Sequence, residues 1–376
     1  MADRVALRRL KLAPQVRQPV GGGPLQIRDL RTYPLREPVS GRSYTVIRLE
    51  TASGLRGYGE CALVTPLELA AARQAVVRAA PTAAEPIRAQ LAAMPAVSAA
   101  VNMALLDLAG QIAKAPVYQV LGGPTRNKVR ALALVGGASD DELKRSAERA
   151  LKAGHKALSV PVPETRANNH GQALVLSVRR RMDGLRSAAG PGADFVLDGG
   201  ARLSPGDAAI ISTALERFHL LWFDEPCPLS NLGAVRKISE ENVTPVGFGR
   251  SIHRAAEFQD LLREGMIDVL RPDIGRNGIT QIRRMATVAE TYYVAVAPYH
   301  DGGPIASAAA LHLAASLPNF FIQQIPLPVD PKDQAMRAEL TSGSIEEVKD
   351  GYAALLTRPG LGVRVNEEAL KKYAAA

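Results

Sequence analysis

Two periodicities divide this chain. Over residues 43–51 the side chains alternate, with Tyr44, Val46, Arg48 and Glu50 on one side and Thr45, Ile47 and Leu49 on the other. That period of two marks a β-strand. A strand is also predicted over 25–34, and the stretch from Ala52 to Glu60 reads as a turn leading into another. Alanine-rich segments at 66–80 and 96–114 follow with helical spacing and high intrinsic helix propensity. Strands first and helices after give an α+β opening. From about residue 125 the pattern changes. Short β-rich runs at 131–135, 157–162, 195–197, 220–223, 246–248, 269–271, 293–297 and 320–322 alternate with helical stretches such as 140–153, 204–217 and 279–291. Repeated units of that length predict a parallel barrel over residues 125–326.

Composition narrows the function classes. The chain has 376 residues, 47% apolar and 22% charged, which is enough for a large core and unlike a disordered chain. Cys61 and Cys227 lack metal-site spacing, so a reducing, cytoplasmic setting is expected. No apolar run is read as reaching the roughly 18–20 residues that span a bilayer, so no membrane partner is predicted. The net charge of +9 is concentrated early: Arg4, Arg8, Arg9, Lys11, Arg17, Arg28 and Arg31 face only Asp3 and Asp29. Aromatics make up only 5%, and no basic groove with stacking residues follows, so nucleic acid is not predicted. A mildly basic surface suits a small anionic molecule equally well. Residues 1–24 read as a flexible basic arm. Gly199-Gly200 and Gly302-Gly303 lack phosphate-loop spacing and read as tight turns.

The chemistry concentrates at strand ends. Asp198 and Asp224 close successive predicted strands 26 residues apart, and Arg250 closes the next after another 26. Equivalent positions on successive barrel strands converge at the C-terminal mouth. Two carboxylates there suit a divalent cation, whereas a guanidinium beside them opposes one. One reading is a salt-bridge cluster Asp198–Arg250–Asp224 in place of a metal. The other has Arg250 binding a substrate carboxylate or phosphate directly.

Several stretches together resemble the mandelate racemase/muconate lactonizing enzyme family of the enolase superfamily, nearest its acid-sugar dehydratases. They are the run from Val46 to Glu60, Ala104–Gly110 leading to Leu121-Gly122-Gly123, Trp222-Phe223-Asp224-Glu225-Pro226, Arg271–Arg276, Gly303–Ala306 and Pro318-Asn319-Phe320. The resemblance implies an α/β fold: a modified (β/α) TIM-type barrel, residues 125–326, under an α+β capping domain. The cap would comprise residues 25–124 and the C-terminal segment 327–376. It also implies a symmetric homo-oligomer and a small carboxylate or acid-sugar substrate. In such a lyase or isomerase Mg2+ on three acidic strand ends stabilises an enediolate after a base removes the proton beside the carboxylate.

The matched positions depart from that pattern. Asp198 and Asp224 match the first two ligands, with Glu225 beside the second, but the third is Arg250. Two lysines common on the third barrel strand are Ser159 and Pro161. Asp273 matches the aspartate that holds a histidine base, yet the histidine position falls on Tyr299, with His300 next to it. Gln324 replaces the acid ending the eighth strand. Tyr299 and His300 with Asp273 are the acid–base candidates, and Arg250, Ser159 and Gln324 the substrate-binding ones. Arg250 and Arg271 are the expected means of lowering the Tyr299 pKa. His155 is expected at the surface and His253 at the rim. A non-catalytic homologue that keeps the fold for carboxylate binding or assembly is the alternative.

Overall fold

The computed structural model describes residues 23–164, 171–230, 232–240 and 243–374. The expected arm at 1–24 therefore lies almost wholly outside the described residues. The chain opens with an antiparallel meander of β1 (Ile27–Arg36), β2 (Ser43–Thr51) and β3 (Arg56–Cys61). Helices α1 (Pro66–Val76), α2 (Ala84–Gln90), α3 (Pro95–Ile112) and α4 (Val117–Val120) follow. A reciprocal capping box between Thr65 and Glu68 starts α1. The glycines of Gly57-Tyr58-Gly59 let α3 lie directly on β3, since a β-carbon at either would overlap the backbone of Ala104 or Ala100. At 18 residues α3 is apolar and long enough to cross a bilayer, contrary to the expectation that no run reaches that length. Here its Val97, Val101, Leu105 and Leu108 are buried with Ile27, Leu30, Ile47 and Leu49 as the core of the cap.

The barrel alternates strand and helix. Its first half is β4 (Lys128–Leu134), α5 (Asp140–Lys152), β5 (Ala157–Pro161), α6 (Gly171–Ala189), β6 (Asp194–Asp198), α7 (Pro205–Leu215), β7 (Trp222–Asp224) and α8 (Leu232–Glu240). Its second half is β8 (Val246–Phe248), α9 (Ala255–Arg263), β9 (Val269–Leu270), α10 (Ile274–Glu290), β10 (Ala295–Val296), α11 (Pro304–Ser316), β11 (Gln323–Gln324) and α12 (Pro331–Leu340). Each of β4 to β9 pairs in parallel with the next, and β11 pairs with β4 through Gln323 and Ala131. The ring closes at a bridge between Val296 and Phe320. The last strand thus lies later than the run at 320–322 suggests, because Phe320 makes only that bridge and the ladder with β4 begins at Gln323.

Side chains of one parity fill the barrel floor: Leu132, Ala157, Val196, Trp222, Val269, Ala297 and Ile322. Trp222, the sole tryptophan, occupies space that Gly247 leaves open, because a β-carbon at 247 would strike its indole ring. Burying an aromatic of that size stabilises by roughly 4–6 kcal/mol.

The chain ends with β12 (Val348–Lys349), β13 (Tyr352–Ala354) and α13 (Glu367–Lys372). It then returns to the cap. Asp107 of α3 accepts the Tyr58 and Leu361 amides at 2.9 and 2.8 Å. Glu367 receives Arg48, Arg56 and the Tyr58 hydroxyl, and Leu35 bridges Ala374.

Candidate functional site

The mouth of the barrel is built two residues beyond its floor. Stepping by two from Ala157, Val196, Trp222, Val269, Ala297 and Ile322 reaches Ser159, Asp198, Asp224, Arg271, Tyr299 and Gln324. Asp198 and Asp224 stand opposite each other in the parallel register of β6 and β7. Arg250 enters from the turn after β8, where Gly249 takes a φ of +142° that only glycine adopts readily.

Arg250 sits between the two carboxylates. Its Nη2 lies 3.0 Å from Asp198 Oδ2 and also donates to Asp224 Oδ2. Arg271 reaches Asp224 from the other side, its Nε 3.1 and 3.2 Å from the two oxygens. The remaining Arg271 nitrogens donate to Ala297 O at 2.6 Å and Gln324 Oε1 at 3.1 Å, and Gln324 Nε2 donates to His300 O at 2.7 Å. Asp198 Oδ1 accepts the Gly200 amide. Two acids and two guanidiniums leave the cluster formally neutral.

Burial decides the strength of these pairs, since Asp224 and Arg271 are both 0% exposed. Burial alone would raise the Asp224 pKa, but Arg271 and Arg250 hold it below the usual carboxylate range. Burial lowers Arg250 as well, yet Asp224 and Asp198 more than offset this and strengthen its charge.

Glu225 does not compete as a ligand. Its Oε1 accepts the Gly249 and Arg250 amides at 2.8 and 2.9 Å, so it fixes the turn that delivers the guanidinium. Of the residues singled out in the sequence, Asp198, Asp224, Arg250, Tyr299 and Gln324 come together here, and Arg271, expected only as a cation near Tyr299, joins them as a partner of Asp224. The signal was available: Arg271 stands two residues after Val269, on the inward parity of β9.

The acid–base candidates fare differently. The Arg250 guanidinium carbon lies 4.6 Å and that of Arg271 5.8 Å from the Tyr299 ring centroid. These cations do not produce a low pKa: burial, reinforced by Asp301, pushes Tyr299 up to about 12. His300 turns its Nε2 to Ser307 Oγ at 2.9 Å in the seam under the cap, and burial pushes its pKa down to about 3. A one-residue offset on the strand end produces that orientation. Asp273 caps α10 through the Gly275 amide at 2.8 Å, and burial pushes its pKa up to about 6. No Asp273–His300 hydrogen bond is present among the described residues. Asp273, Tyr299 and His300 do line one cavity of about 430 Å³, together with Tyr44 and Glu60 of the cap.

Other candidates also found places. Ser159 is fully buried with its hydroxyl unpartnered, and Pro161 offers its carbonyl to Arg181 Nη1 at 2.8 Å. His155, expected at the surface, is only 2% exposed, because it borders a cavity enclosed by α12 and residues 344–348. Gly302 and Gly303 are more than turns: a β-carbon at 303 would strike Tyr44 and Glu60. Among the described residues no group of three His, Cys, Asp or Glu side chains is placed to hold a metal ion.

Comparison with known proteins agrees with this architecture. Residues 142–369 match the family model for the enolase C-terminal domain-like fold. Residues 35–122 match the mandelate racemase/muconate lactonizing enzyme N-terminal domain. A D-galactonate dehydratase family member of Pseudarthrobacter chlorophenolicus is 28% identical over 310 residues, covering 73% of this chain and 74% of that protein. The D-galactonate dehydratase of Cronobacter sakazakii is 29% identical over 280 residues, 72% of this chain and 71% of its own. A mandelate racemase/muconate lactonizing enzyme from Sulfitobacter sp. superposes with a TM-score of 0.83 at 24% identity, over 93% of this chain and 96% of that one. A mandelate racemase/muconate lactonizing enzyme-like protein from Rubrobacter xylanophilus gives 0.82 at 23%, over 94% and 98%. This chain belongs to the mandelate racemase/muconate lactonizing enzyme family of the enolase superfamily.

Proposed function

We propose that this chain binds a small hydroxy-carboxylate of the acid-sugar class at the barrel mouth without magnesium, and that it does not run a metal-dependent dehydration. The observation that carries this reading is Arg250 Nη2 between Asp198 and Asp224, with Arg271 on the far side of Asp224. Magnesium needs near-octahedral oxygen ligands at about 2.0–2.1 Å. Here the third ligand position carries a cation, and both carboxylates already meet guanidiniums. The residues present therefore do not fit Mg2+. An enediolate would gather two negative charges, and stabilising such charge is often the largest catalytic term. The guanidiniums are matched by Asp198 and Asp224, which leaves little unpaired positive charge for that task.

The bases are also unsuited to ordinary α-proton removal. Ser159 and Pro161 carry no basic group, Tyr299 sits near 12, and the His300 ring bonds Ser307. A metal-free site still suits a stable carboxylate. The Arg250 Nε has no partner, and its side chain keeps 19% of its surface exposed.

A second reading rests on Asp273. Its pKa near 6 and its place on the cavity wall beside Tyr299 suit a general base working close to neutral pH. That reading makes the chain a metal-independent lyase.

Trp222 supplies the test, because the Arg271 guanidinium lies 5.1 Å from its ring. A panel of acid sugars titrated in EDTA is expected to change its fluorescence saturably for at least one member. Arg250→Ala should weaken that ligand by at least about tenfold. Turnover that disappears with chelator would refute the proposal. Turnover that persists in EDTA and is lost in Asp273→Asn would establish the second reading.

A further inference from the structure

A second polar pocket lies where cap and barrel meet, away from the Asp198–Asp224 cluster. It has a volume of about 170 Å³. Arg88 of α2 and Asn102 of α3 form its cap side. Its barrel side carries His253 and Arg254 from the β8–α9 loop and Arg276 and Asn277 from α10. Three arginines border it, and among the described residues no acidic one does.

Neighbouring acids do not neutralise this charge. Glu85 is shared between Arg88 at 3.0 Å and Arg284 at 2.7 Å. Glu257 lies 3.9 Å from Arg254. Among the described residues Arg276 forms no ion pair within 4 Å; its charge is offset only in part by Asp273, whose pKa it lowers, and its Nη1 donates to Ser251 O at 3.3 Å. The local field registers on His253: burial lowers its pKa, and Arg276 and Arg254 lower it further against the pull of Glu257.

Two further features point to the kind of anion. Gly278 takes φ +65°, ψ 179° and interrupts α10, so a helix restarts beyond it with Thr280 and Gln281 on the pocket wall. Asn102 Oδ1 already accepts the Thr280 amide at 3.0 Å, so this restart adds its dipole to the pocket but no free Thr280 donor. Asn277 is 6% exposed and donates both amide hydrogens, to Ile252 O and Asp273 O at 3.1 Å each. Both partners are acceptors, which fixes the amide orientation and leaves Oδ1 as a buried acceptor without a donor. A ligand here should carry negative charge together with one O–H.

We propose that this pocket is an oxyanion site for phosphate that retains an O–H, either free or as the singly protonated phosphoryl group of a small metabolite. The guanidiniums take its charged oxygens, and Asn277 Oδ1 takes its hydroxyl. A fully esterified or unprotonated oxyanion lacks that last contact, so sulfate binds more weakly. This site does not depend on the function proposed for the barrel mouth.

The test uses the full chain at low ionic strength and about pH 6, where a phosphomonoester is still partly protonated, with inorganic phosphate as probe and sodium sulfate and sodium chloride at matched ionic strength as controls. Phosphate is expected to raise the melting temperature saturably, sulfate less and chloride not at all. Arg88→Ala/Arg276→Ala should weaken phosphate by at least about tenfold, with Arg276→Lys recovering part of the loss. Both arginines are solvent-facing, so these variants should fold. Titration with 6-phosphogluconate against gluconate separates the two sources. A tenfold preference for the phosphorylated compound over free phosphate, lost in the double variant, assigns a metabolite phosphoryl group; equal affinity assigns free phosphate. No stabilisation by phosphate, an equal effect of chloride, or undiminished binding in the double variant would overturn the proposal.

Discussion

Two clusters of buried charge stand on either side of the cap–barrel junction, and they use their carboxylates differently. In the seam, Glu60 of β3 accepts backbone amides at the start of α11, from Gly303, Ile305 and Ala306. Arg337 of α12 joins Glu37 of the cap to Glu346 and to Gly302 O. Those contacts tie together parts of the chain that are far apart in sequence, so their work is docking. At the mouth, Asp198 and Asp224 meet guanidiniums from neighbouring barrel strands and hold nothing distant together. Seam chemistry follows from the need to join two domains. Mouth chemistry is free of that need, and it is there that the proposed departure from the family pattern lies. Loss of a seam charge should therefore cost stability, whereas loss of a mouth charge should mainly change what binds.

The largest expected effect is Arg337→Ala. It strands Glu37 and Glu346 in a buried seam and should destabilise by about 3–5 kcal/mol in urea unfolding. A loss below about 1 kcal/mol would remove the distinction between the clusters.

Next is the pH dependence of Glu60. Burial pushes its pKa up to about 7, against the pull of Arg337 and the α11 amides. A raised carboxylate binds more protons in the folded chain. Its contribution is therefore complete below about pH 4.5 and is lost as pH rises through 7, amounting to about 3 kcal/mol. Glu60→Gln should flatten that part of the stability–pH curve. Asp224, held low, has the opposite sign: its contribution is present above the unfolded carboxylate pKa and is lost as pH falls through its folded value.

Arg250→Ala should cost less, about 2 kcal/mol, because Arg271 still pairs with Asp224. The smallest effect belongs to the outer surface. Arg217 and Asp183 are paired with both side chains more than half exposed, and Arg217→Ala should change stability by less than about 0.5 kcal/mol.

How far the molecule could be read in advance depended on distance along the chain. The barrel and meander were legible because strand and helix periods are local. So was the convergence of Asp198, Asp224 and Arg250, which needs only equal spacing and the barrel's symmetry. Arg271 was anticipated as a cation near Tyr299 but not as a partner of Asp224, although counting from Val269 places it inward. The burial of His155 depends on residues 344–348, nearly two hundred positions away, and no local pattern carries that contact. The raised pKa of Tyr299 had the same origin: its flanking cations could be anticipated, but the burial that outweighs them could not.

The most direct test of the arginine-for-metal account is calorimetric titration of Mg2+ into the wild-type chain and into Arg250→Glu, with Mn2+ anomalous diffraction to locate any ion. The account predicts no measurable heat for the wild type and a specific site in the variant, on Asp198, Asp224 and the new glutamate side chain. A wild-type ion coordinated by Asp198 and Asp224, with the Arg250 guanidinium displaced from between them, would contradict it.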